Sequence, residues 1–290
     1  MRLQFWRDTI ARALEGSPPK QPVATLLAHA AEQLSRRTEG RGKFSKSWFM
    51  RVIAARHQYL NNNPYASLDA LESYAESTYS TLLYLTLQAL PMNSVAADHV
   101  ASHIGKAAGI VTVLRGVPLL AFPRPPNHHS NTAGLGGAVR EQRIKSRQGS
   151  VNLPLDIMAE TGLREEDVLR NGPEAEGLRD AVFKVATRAS DHLITARTML
   201  QNLRKGEDVG HAFEHEHEEE HNHNTNGASP VKQQASEMER AFGVFMPAIS
   251  TDLFLQRLQK YNFDIFRDEL RRRDWRLPWK AYFANRRQMF

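Results

Sequence analysis

The sequence predicts an all-α protein in which one helical bundle spans residues 1–290. Two observations lead to this fold class. Apolar residues recur at steps of three and four through most of the chain, which is the spacing of an amphipathic helix. The alternation of apolar and polar residues that indicates strands persists nowhere. Hydrophobic residues make up 41% of the chain and charged residues 24%, as in ordinary globular proteins, and this length can bury one large core or two smaller ones.

The first three predicted helices lie in the N-terminal sixty residues. The first has Trp6 and Ile10 at helical spacing and stops before the Gly-Ser-Pro-Pro segment at 16–19. Pro22 suits the first turn of the second helix, because the N–H group that proline lacks has no helical partner there. Because the helical pattern starts directly after Met1, we expect the chain to begin inside a folded element, which makes the bundle N-terminally incomplete. The predicted ranges are Arg2–Leu14, Pro22–Arg36 and Ser45–Leu60.

Two longer helices are predicted next. Ser67 is a suitable N-cap for the fourth helix, because its hydroxyl can accept a backbone hydrogen bond in the first turn. Pro91 limits that helix. The fifth helix, predicted over Val95–Arg115, carries small residues that would permit close packing against a neighbouring helix. These small residues are Ala101, Gly105, Ala108 and Gly109.

Two segments interrupt the helical pattern. Residues 121–150 are rich in proline, histidine and glycine and predict a loop insertion. Residues 205–230 contain a His/Glu-rich stretch that cannot bury enough apolar surface to fold, and they predict a disordered insertion. The other predicted helices are two short ones on either side of Gly162, then Glu174–Leu203, Val231–Phe242, Thr251–Tyr261 and Pro278–Phe290.

Charge and composition restrict the class of partner. The net charge of +6 favours acidic partners such as anionic lipid, nucleic acid or phosphorylated substrates. Cysteine is absent from the chain, which excludes disulfides, thiolate nucleophiles and cysteine zinc sites. We identify no apolar run long enough to span a bilayer, and no phosphate-binding glycine loop or serine-nucleophile motif.

Six blocks of the sequence resemble the squalene/phytoene synthase family, whose members have an all-α isoprenoid-synthase fold. The blocks occur in the family's order and cover nearly the whole chain apart from the two insertions. The resemblance therefore implies an isoprenoid-synthase-like helical bundle. The blocks are LQFWRDTI, LESYAESTYSTLLYLTL, DHVASHIGKAAGIVTVLRGVP, VNLPLDIMAETGLREEDVLR, MPAISTDLFLQRLQKYNFDIF and LPWKAYFANRR.

The resemblance also implies where a synthase would bind its metal. Active members hold the substrate diphosphate through Mg²⁺ bridged by two Asp-rich motifs, and the first motif would lie upstream of Met1. The second motif runs roughly Asn-x-x-Arg-Asp-x-x-x-Asp, and Arg115 matches its arginine. Thr112 stands at the asparagine, Gly116 at the first aspartate and Leu120 at the last. Since Mg²⁺ needs hard oxygen ligands, mostly carboxylates, we expect no metal site and no catalytic residue here.

Positions that open the prenyl cavity of a synthase also differ in this chain. In the family, a paired-glycine stretch on the fourth helix makes space for the prenyl chain. Ser80 and Leu83 fall near those positions, and a leucine there would narrow the cavity.

Three acidic residues share the fourth predicted helix, and two interpretations of them are open. Asp69, Glu72 and Glu76 could seat a cation, since the last two are four residues apart. We favour a solvated helix face, which is the more common arrangement of such charges.

Two histidines of the fifth predicted helix, His99 and His103, also lie four residues apart. We favour hydrogen-bonded structural or interface histidines over a zinc pair, because the glutamate that the HExxH protease motif needs after the first histidine is absent. The remaining alternative is a residual anion site formed with Lys106 and Arg115.

The C-terminal segment Asp264–Phe290 mixes cations with aromatic residues. This composition suits an interfacial element, with aromatic rings at the level of lipid headgroups and cations on anionic lipid. The alternative is a C-terminal helix that docks its aromatic residues into the core and leaves its arginines in water, and both can hold. Nucleic-acid binding is not expected, since no recognition motif accompanies the charges. The candidate surface residues are Arg271, Arg272, Arg273, Trp275, Trp279, Lys280, Arg286 and Arg287.

The resemblance is strongest to a branch of the family that supports assembly of respiratory complex I in mitochondria. It implies a non-catalytic protein that binds complex I subunits or assembly intermediates at the matrix side of the inner membrane, peripherally and without a cofactor. The alternative is a Mg²⁺-dependent prenyl-diphosphate transferase, which needs an upstream Asp motif and a substitute for the second motif. A third hypothesis is a lipid- or isoprenoid-binding module that keeps the cavity but performs no chemistry.

Overall fold

The computed structural model describes residues 2–60, 63–90, 92, 94–123, 149–205, 236 and 239–290. Regular structure in these ranges is helical throughout, which confirms the predicted all-α class. Its α-helices include α1 (Arg2–Leu14), α2 (Pro22–Arg37), α3 (Lys46–Gln58), α4 (Leu68–Ala75), α5 (Thr81–Ala89), α6 (Val95–Ala121), α7 (Leu155–Glu160), α8 (Glu165–Asn171), α9 (Leu178–Lys205), α10 (Pro247–Lys260), α11 (Asp268–Arg271) and α12 (Leu277–Arg287).

The central helix of the bundle is α6, against which α4, α5, α9 and α10 all pack. Its side chains Ile104, Ile110 and Leu114 are fully buried. The first helix, α1, packs mainly on α2 and α3 instead. The C-terminal half of α6 carries the positions that match the synthase metal motif, so the core helix itself sets the geometry of the candidate site.

The fourth predicted helix is not continuous, because a π-helical turn, Glu76–Ser80, separates α4 from α5. This turn packs directly on α6, and glycine lets the two backbones approach. A Cβ atom added at Gly105 would lie only 2.4 Å from the Cα of Ser80, and Gly109 makes a similarly close approach one turn later. Ser80 Oγ also donates a 2.9 Å hydrogen bond to the carbonyl oxygen of Ser102. The prediction that small residues permit close packing here is confirmed.

Helix starts follow local signals that are only partly visible in the sequence. Ser67 caps α4 as predicted, and its hydroxyl accepts the N–H of Ala70 at 3.1 Å. The long helix α9 starts later than predicted, because Gly177 just before it has φ of +75°, a conformation outside the α-helix. The start of α10 is earlier than predicted, at Pro247, since proline suits a first helical turn.

The end of α6 differs more from the prediction. The helix runs past Arg115 to Ala121 and contains Pro118, which is buried in the final turn. By length and composition it could cross a membrane, with a mean hydropathy of 1.5, so the expectation of no such run was wrong. Because 61% of that apolar window is buried inside the protein, α6 has the character of a core helix.

Two predicted segments lie largely outside the described residues. The loop insertion of residues 121–150 and the His/Glu-rich insertion of residues 205–230 both stay predictions. The same holds for most of the helix predicted over residues 231–242. Its last residue belongs to a described 3₁₀ turn, Phe242–Phe245.

Candidate functional site

The four positions that match the synthase metal motif lie on the C-terminal half of α6, but their side chains do not converge. Thr112 and Gly116 line one cavity. The guanidinium of Arg115 lies instead 5.4 Å from the ring centroid of Phe254 on α10. Leu120 is half-buried. The arginine that matches the motif thus packs on an aromatic ring of a neighbouring helix.

The donor chemistry at these positions does not fit Mg²⁺. The hydroxyl of Thr112 already donates a 2.8 Å hydrogen bond to the carbonyl oxygen of Ala108, and glycine and leucine offer no side-chain oxygen. Mg²⁺ would need carboxylates or substrate phosphates at these places. Across the described ranges, no three histidine or acidic side chains are grouped closely enough to hold a metal ion.

A cavity of about 450 Å³ lies beside the motif positions. Its wall is aromatic, since the rings of Tyr59, Tyr65 and Tyr74 contact one another with centroids 4.7–5.4 Å apart. Arg56 adds a cation, with its guanidinium 5.8 Å from the Tyr74 centroid. The space beside Gly116 is open, because a Cβ atom there would meet nothing within 4 Å.

Apart from the guanidinium of Arg56, the polar groups described in this cavity are neutral hydrogen-bonding groups. Burial raises the pKa of Tyr59, Tyr65 and Tyr74 above the ordinary value, so these phenols stay protonated at neutral pH. Asn152 also lines the cavity, and its buried Oδ1 has no hydrogen-bond partner among the described residues. No local sequence pattern predicts this cavity, because its tyrosines come from separate segments of the chain.

The acidic residues of α4 behave differently from one another. Glu72 Oε1 lies 2.6 Å from Nε of Arg188 and 2.5 Å from Nε2 of His192, both on α9. The Glu72 side chain is only 15% exposed, whereas that of Asp69 is 84% exposed. The prediction of a solvated face is therefore wrong for Glu72 and correct for Asp69.

A chain of polar contacts links three helices through these groups. Glu72 on α4 contacts His192 on α9, and Nδ1 of His192 lies 3.0 Å from Nδ1 of His103 on α6. Burial by itself would raise the pKa of Glu72, but hydrogen bonds from His192 and Arg188 overcome it and lower that pKa to about 2. The prediction of a hydrogen-bonded histidine is confirmed for His103.

Glu76 is a buried carboxylate in the π-helical turn, so the prediction of a solvated face is wrong for this residue too. Its oxygens accept hydrogen bonds from Tyr84 Oη at 2.6 Å and from Ser102 Oγ at 2.8 Å. Lys106 Nζ lies 3.8 Å from Glu76 Oε2. Because Lys106 is directed to Glu76 and Arg115 to α10, these two cations do not form the anion site considered above.

The residues around α12 expose aromatic rings rather than burying them. Trp275 is 77% exposed and Trp279 is 62% exposed. The helix packs on the core through the buried Ala284 and the half-buried Leu277. Docking of the aromatic residues into the core, the alternative considered above, is therefore wrong for both tryptophans.

The cations of the same segment differ in their contacts. Lys280 Nζ lies 3.3 Å from the amide oxygen of Gln256, and Arg271 lies 3.6 Å from Asp268. The guanidinium of Arg287 sits 5.8 Å from the Phe283 ring centroid. The arginines predicted for this surface are also exposed and lie in the same segment as the two tryptophans. We call six of these residues, leaving out Arg271, the C-terminal surface: Arg272, Arg273, Trp275, Trp279, Arg286 and Arg287.

Comparison with known proteins places these features in a family. The family model described as "Squalene/phytoene synthase" matches residues 1–121 and 137–282. The protein named NADH dehydrogenase (ubiquinone) complex I, assembly factor 6, from Rattus norvegicus is 32% identical over the whole chain, which spans 67% of that relative. The Homo sapiens protein of the same name is also 32% identical with the same coverage. A Drosophila melanogaster homolog is 28% identical over 98% of the chain and 66% of the relative.

A solved structure supports the fold assignment. The squalene synthase HpnC from Alicyclobacillus acidocaldarius matches with a TM-score of 0.56 over 90% of this chain and 74% of that one. At 10% sequence identity, this likeness concerns the arrangement of helices and not the chemistry.

Proposed function

The chain belongs to the squalene/phytoene synthase family, and we propose that it is a non-catalytic member that supports assembly of respiratory complex I by binding other proteins. The proposal locates it in mitochondria, as a peripheral protein on the matrix side of the inner membrane. Its support comes from relatives that are named complex I assembly factors and that align with the whole chain.

The observation that carries the non-catalytic part is the absence of carboxylates at Thr112, Gly116 and Leu120. A synthase needs its metal to stabilise the diphosphate as it departs. Loss of roughly 4 kcal/mol of that stabilisation slows the step about a thousandfold. A bundle that keeps the family's shape without these ligands is suited to binding rather than to turnover.

The C-terminal surface is our candidate for the contact with partners. Exposed tryptophan and arginine side chains are the types that contribute most to the centres of protein interfaces. Cations beside anionic lipid add about 1 kcal/mol each, so the same surface suits a peripheral position on a membrane. The partners proposed are complex I subunits or assembly intermediates.

Complementation tests this proposal. In cells that lack the chain, we expect the wild type to restore assembled complex I on native gels, and the double variant W275A/W279A to restore much less. The matched control is V23A/L26A, which removes two exposed apolar side chains from α2 and should complement fully. Equal complementation by both double variants would overturn the assigned surface.

A second assay tests the non-catalytic part alone. Purified protein incubated with Mg²⁺ and farnesyl or geranylgeranyl diphosphate should release no diphosphate above background. Magnesium-dependent formation of a coupled prenyl product would instead support the transferase hypothesis.

A further inference from the structure

A second concave site lies between α10 and α12, away from the tyrosine-lined cavity. Its volume is about 430 Å³, within the range of roughly 300–1,000 Å³ found for small-molecule sites. The wall is largely apolar, and we call the site the α10–α12 groove. The apolar residues that line it are Ile249, Phe283, Ala284, Met289 and Phe290.

Charged groups also line the α10–α12 groove, and their net charge is positive. Lys280 and Arg287 both line it, and the contact of Lys280 is a neutral amide oxygen rather than a carboxylate. The acidic residue of the groove, Asp252, already has partners. One of its oxygens lies 3.5 Å from Arg197 and the other accepts a 2.6 Å hydrogen bond from Gln256. A negative ligand group would therefore complement the two cations.

The groove is continuous with the C-terminal surface. Phe283 lines the groove and lies one helical turn after Trp279, and both Phe283 and Met289 are exposed. Exposed aromatic residues beside cations are typical of elements that lie at the membrane interface. The opening of the groove therefore lies on the part of the molecule that we assign to membrane contact.

We propose that the α10–α12 groove holds one acyl chain of an anionic phospholipid, whose phosphate is bound by Lys280 and Arg287. This inference rests on the peripheral membrane contact of the proposed function and adds a defined lipid site to it. The two cations favour an anionic over a zwitterionic lipid, and the apolar wall favours an acyl chain over a soluble phosphate.

Lipid retention tests the site. The full chain is mixed with vesicles of equal parts phosphatidylglycerol and phosphatidylcholine, released by high salt and separated by size exclusion, and its retained lipid is quantified by mass spectrometry. We expect about one phosphatidylglycerol per protein, since the groove has room for a single small ligand. We also expect a roughly tenfold excess over phosphatidylcholine, because two cations contact the headgroup.

Two variants and one control give the test its specificity. M289E puts a carboxylate in the apolar groove and should abolish lipid retention. L26E introduces a carboxylate at an exposed apolar position of α2 instead, and it should retain lipid as the wild type does. R287Q removes the charge of an exposed side chain at the groove, and it should lower the ratio of phosphatidylglycerol to phosphatidylcholine. If M289E melts at a lower temperature than L26E, its loss of lipid could reflect unfolding. The lipid ratio of R287Q then decides whether the site exists.

The outcomes separate the site from the membrane contact. Wild type that binds the vesicles before the salt step but retains no lipid after it overturns the groove proposal and leaves the membrane contact standing. Wild type that neither binds the vesicles nor retains lipid overturns both. Equal retention of the two lipids by the wild type, full retention by M289E, or an unchanged lipid ratio in R287Q also overturns the proposed site.

Discussion

Nε2 of His192 lies 2.5 Å from Oε1 of Glu72, and this contact joins residues that are 120 positions apart in the chain. Arg188, one turn earlier on α9, adds a second contact to the same carboxylate at 2.6 Å. These two contacts attach α9 to α4, and both helices also pack on α6. Glu72 is therefore a link between two helices of the bundle that are distant in sequence.

Glu72→Gln should destabilise the protein by about 1.5–3 kcal/mol, the usual contribution of hydrogen bonds to a charged group. The variant removes the charge that Arg188 and His192 contact while keeping the shape of the side chain. Urea denaturation measures the change. Asp69→Asn is the control, because its side chain is exposed and surface ion pairs contribute little. Equal effects of the two variants would contradict the assigned link.

The same carboxylate should make stability depend on acid pH. Its pKa is about 2 in the folded protein against an ordinary value of 4.5, so the unfolded chain binds the proton more readily. The stabilisation is present in full above about pH 4.5 and is lost as the pH falls towards 2. Urea unfolding of wild type and Glu72→Gln between these pH values should show a steeper decline for the wild type. Parallel curves would mean that the lowered pKa has no part in acid unfolding.

Replacing two glycines of α6 by alanine should change the stability of the protein in opposite directions. Gly105→Ala places a methyl group against the backbone of Ser80, and such overpacking costs about 1–3 kcal/mol. Gly116→Ala meets open space and should stabilise the helix by about 0.5–1 kcal/mol, because alanine loses less entropy than glycine in a helix. Thermal melting of the two variants checks the signs. A loss of stability in Gly116→Ala would show that the cavity beside it is not open.

The two hydroxyl groups that donate to the buried Glu76 carboxylate should contribute jointly to the stability of the protein. Tyr84→Phe and Ser102→Ala each remove one donor, and each should cost about 1–3 kcal/mol because a buried acceptor loses a partner. Groups that share a partner are coupled, so the double variant should not equal the sum of the single ones. A double-mutant cycle by urea denaturation measures that coupling, and strict additivity would count against a shared network.

The exposed tryptophans should matter for binding and not for folding. Trp275→Ala and Trp279→Ala remove side chains that are mostly in solvent, and surface changes of this kind usually fall within about 0.5 kcal/mol. Phe242→Ala, at a fully buried position, should cost about 3–5 kcal/mol. Melting temperatures compare the three variants. A large loss of stability in either tryptophan variant would place that ring in the core.

Helix positions could be predicted well because they depend on local spacing and capping. Ser67 begins α4 through its own side chain, and this signal is readable from a few residues. The π-helical turn at Glu76–Ser80 was not predictable in this way. It accompanies the close contact of Ser80 with Gly105, which only the packed bundle brings together.

The candidate site could be predicted only in part, for the same reason. The absence of carboxylates at the motif positions of α6 can be recognised from the sequence, because a motif is defined by residue types at fixed spacing. The burial of Glu72 is not visible, because its partners Arg188 and His192 come from a distant helix. The exposure of Trp275 depends on how the segment around α12 packs on the core. The amino-acid composition of the segment does not determine that packing.

The apolar helix α6 at the centre of the bundle is exposed for part of the time during which the chain is synthesised. During translation α6 leaves the ribosome before α9, its most extensive packing partner, has been made. An uncovered apolar helix of this kind is what the membrane-insertion machinery accepts and what makes incomplete chains aggregate. Nascent chains that stop short of α9 should therefore need chaperones to stay in solution, and the yield of native protein should depend on how soon α9 covers α6.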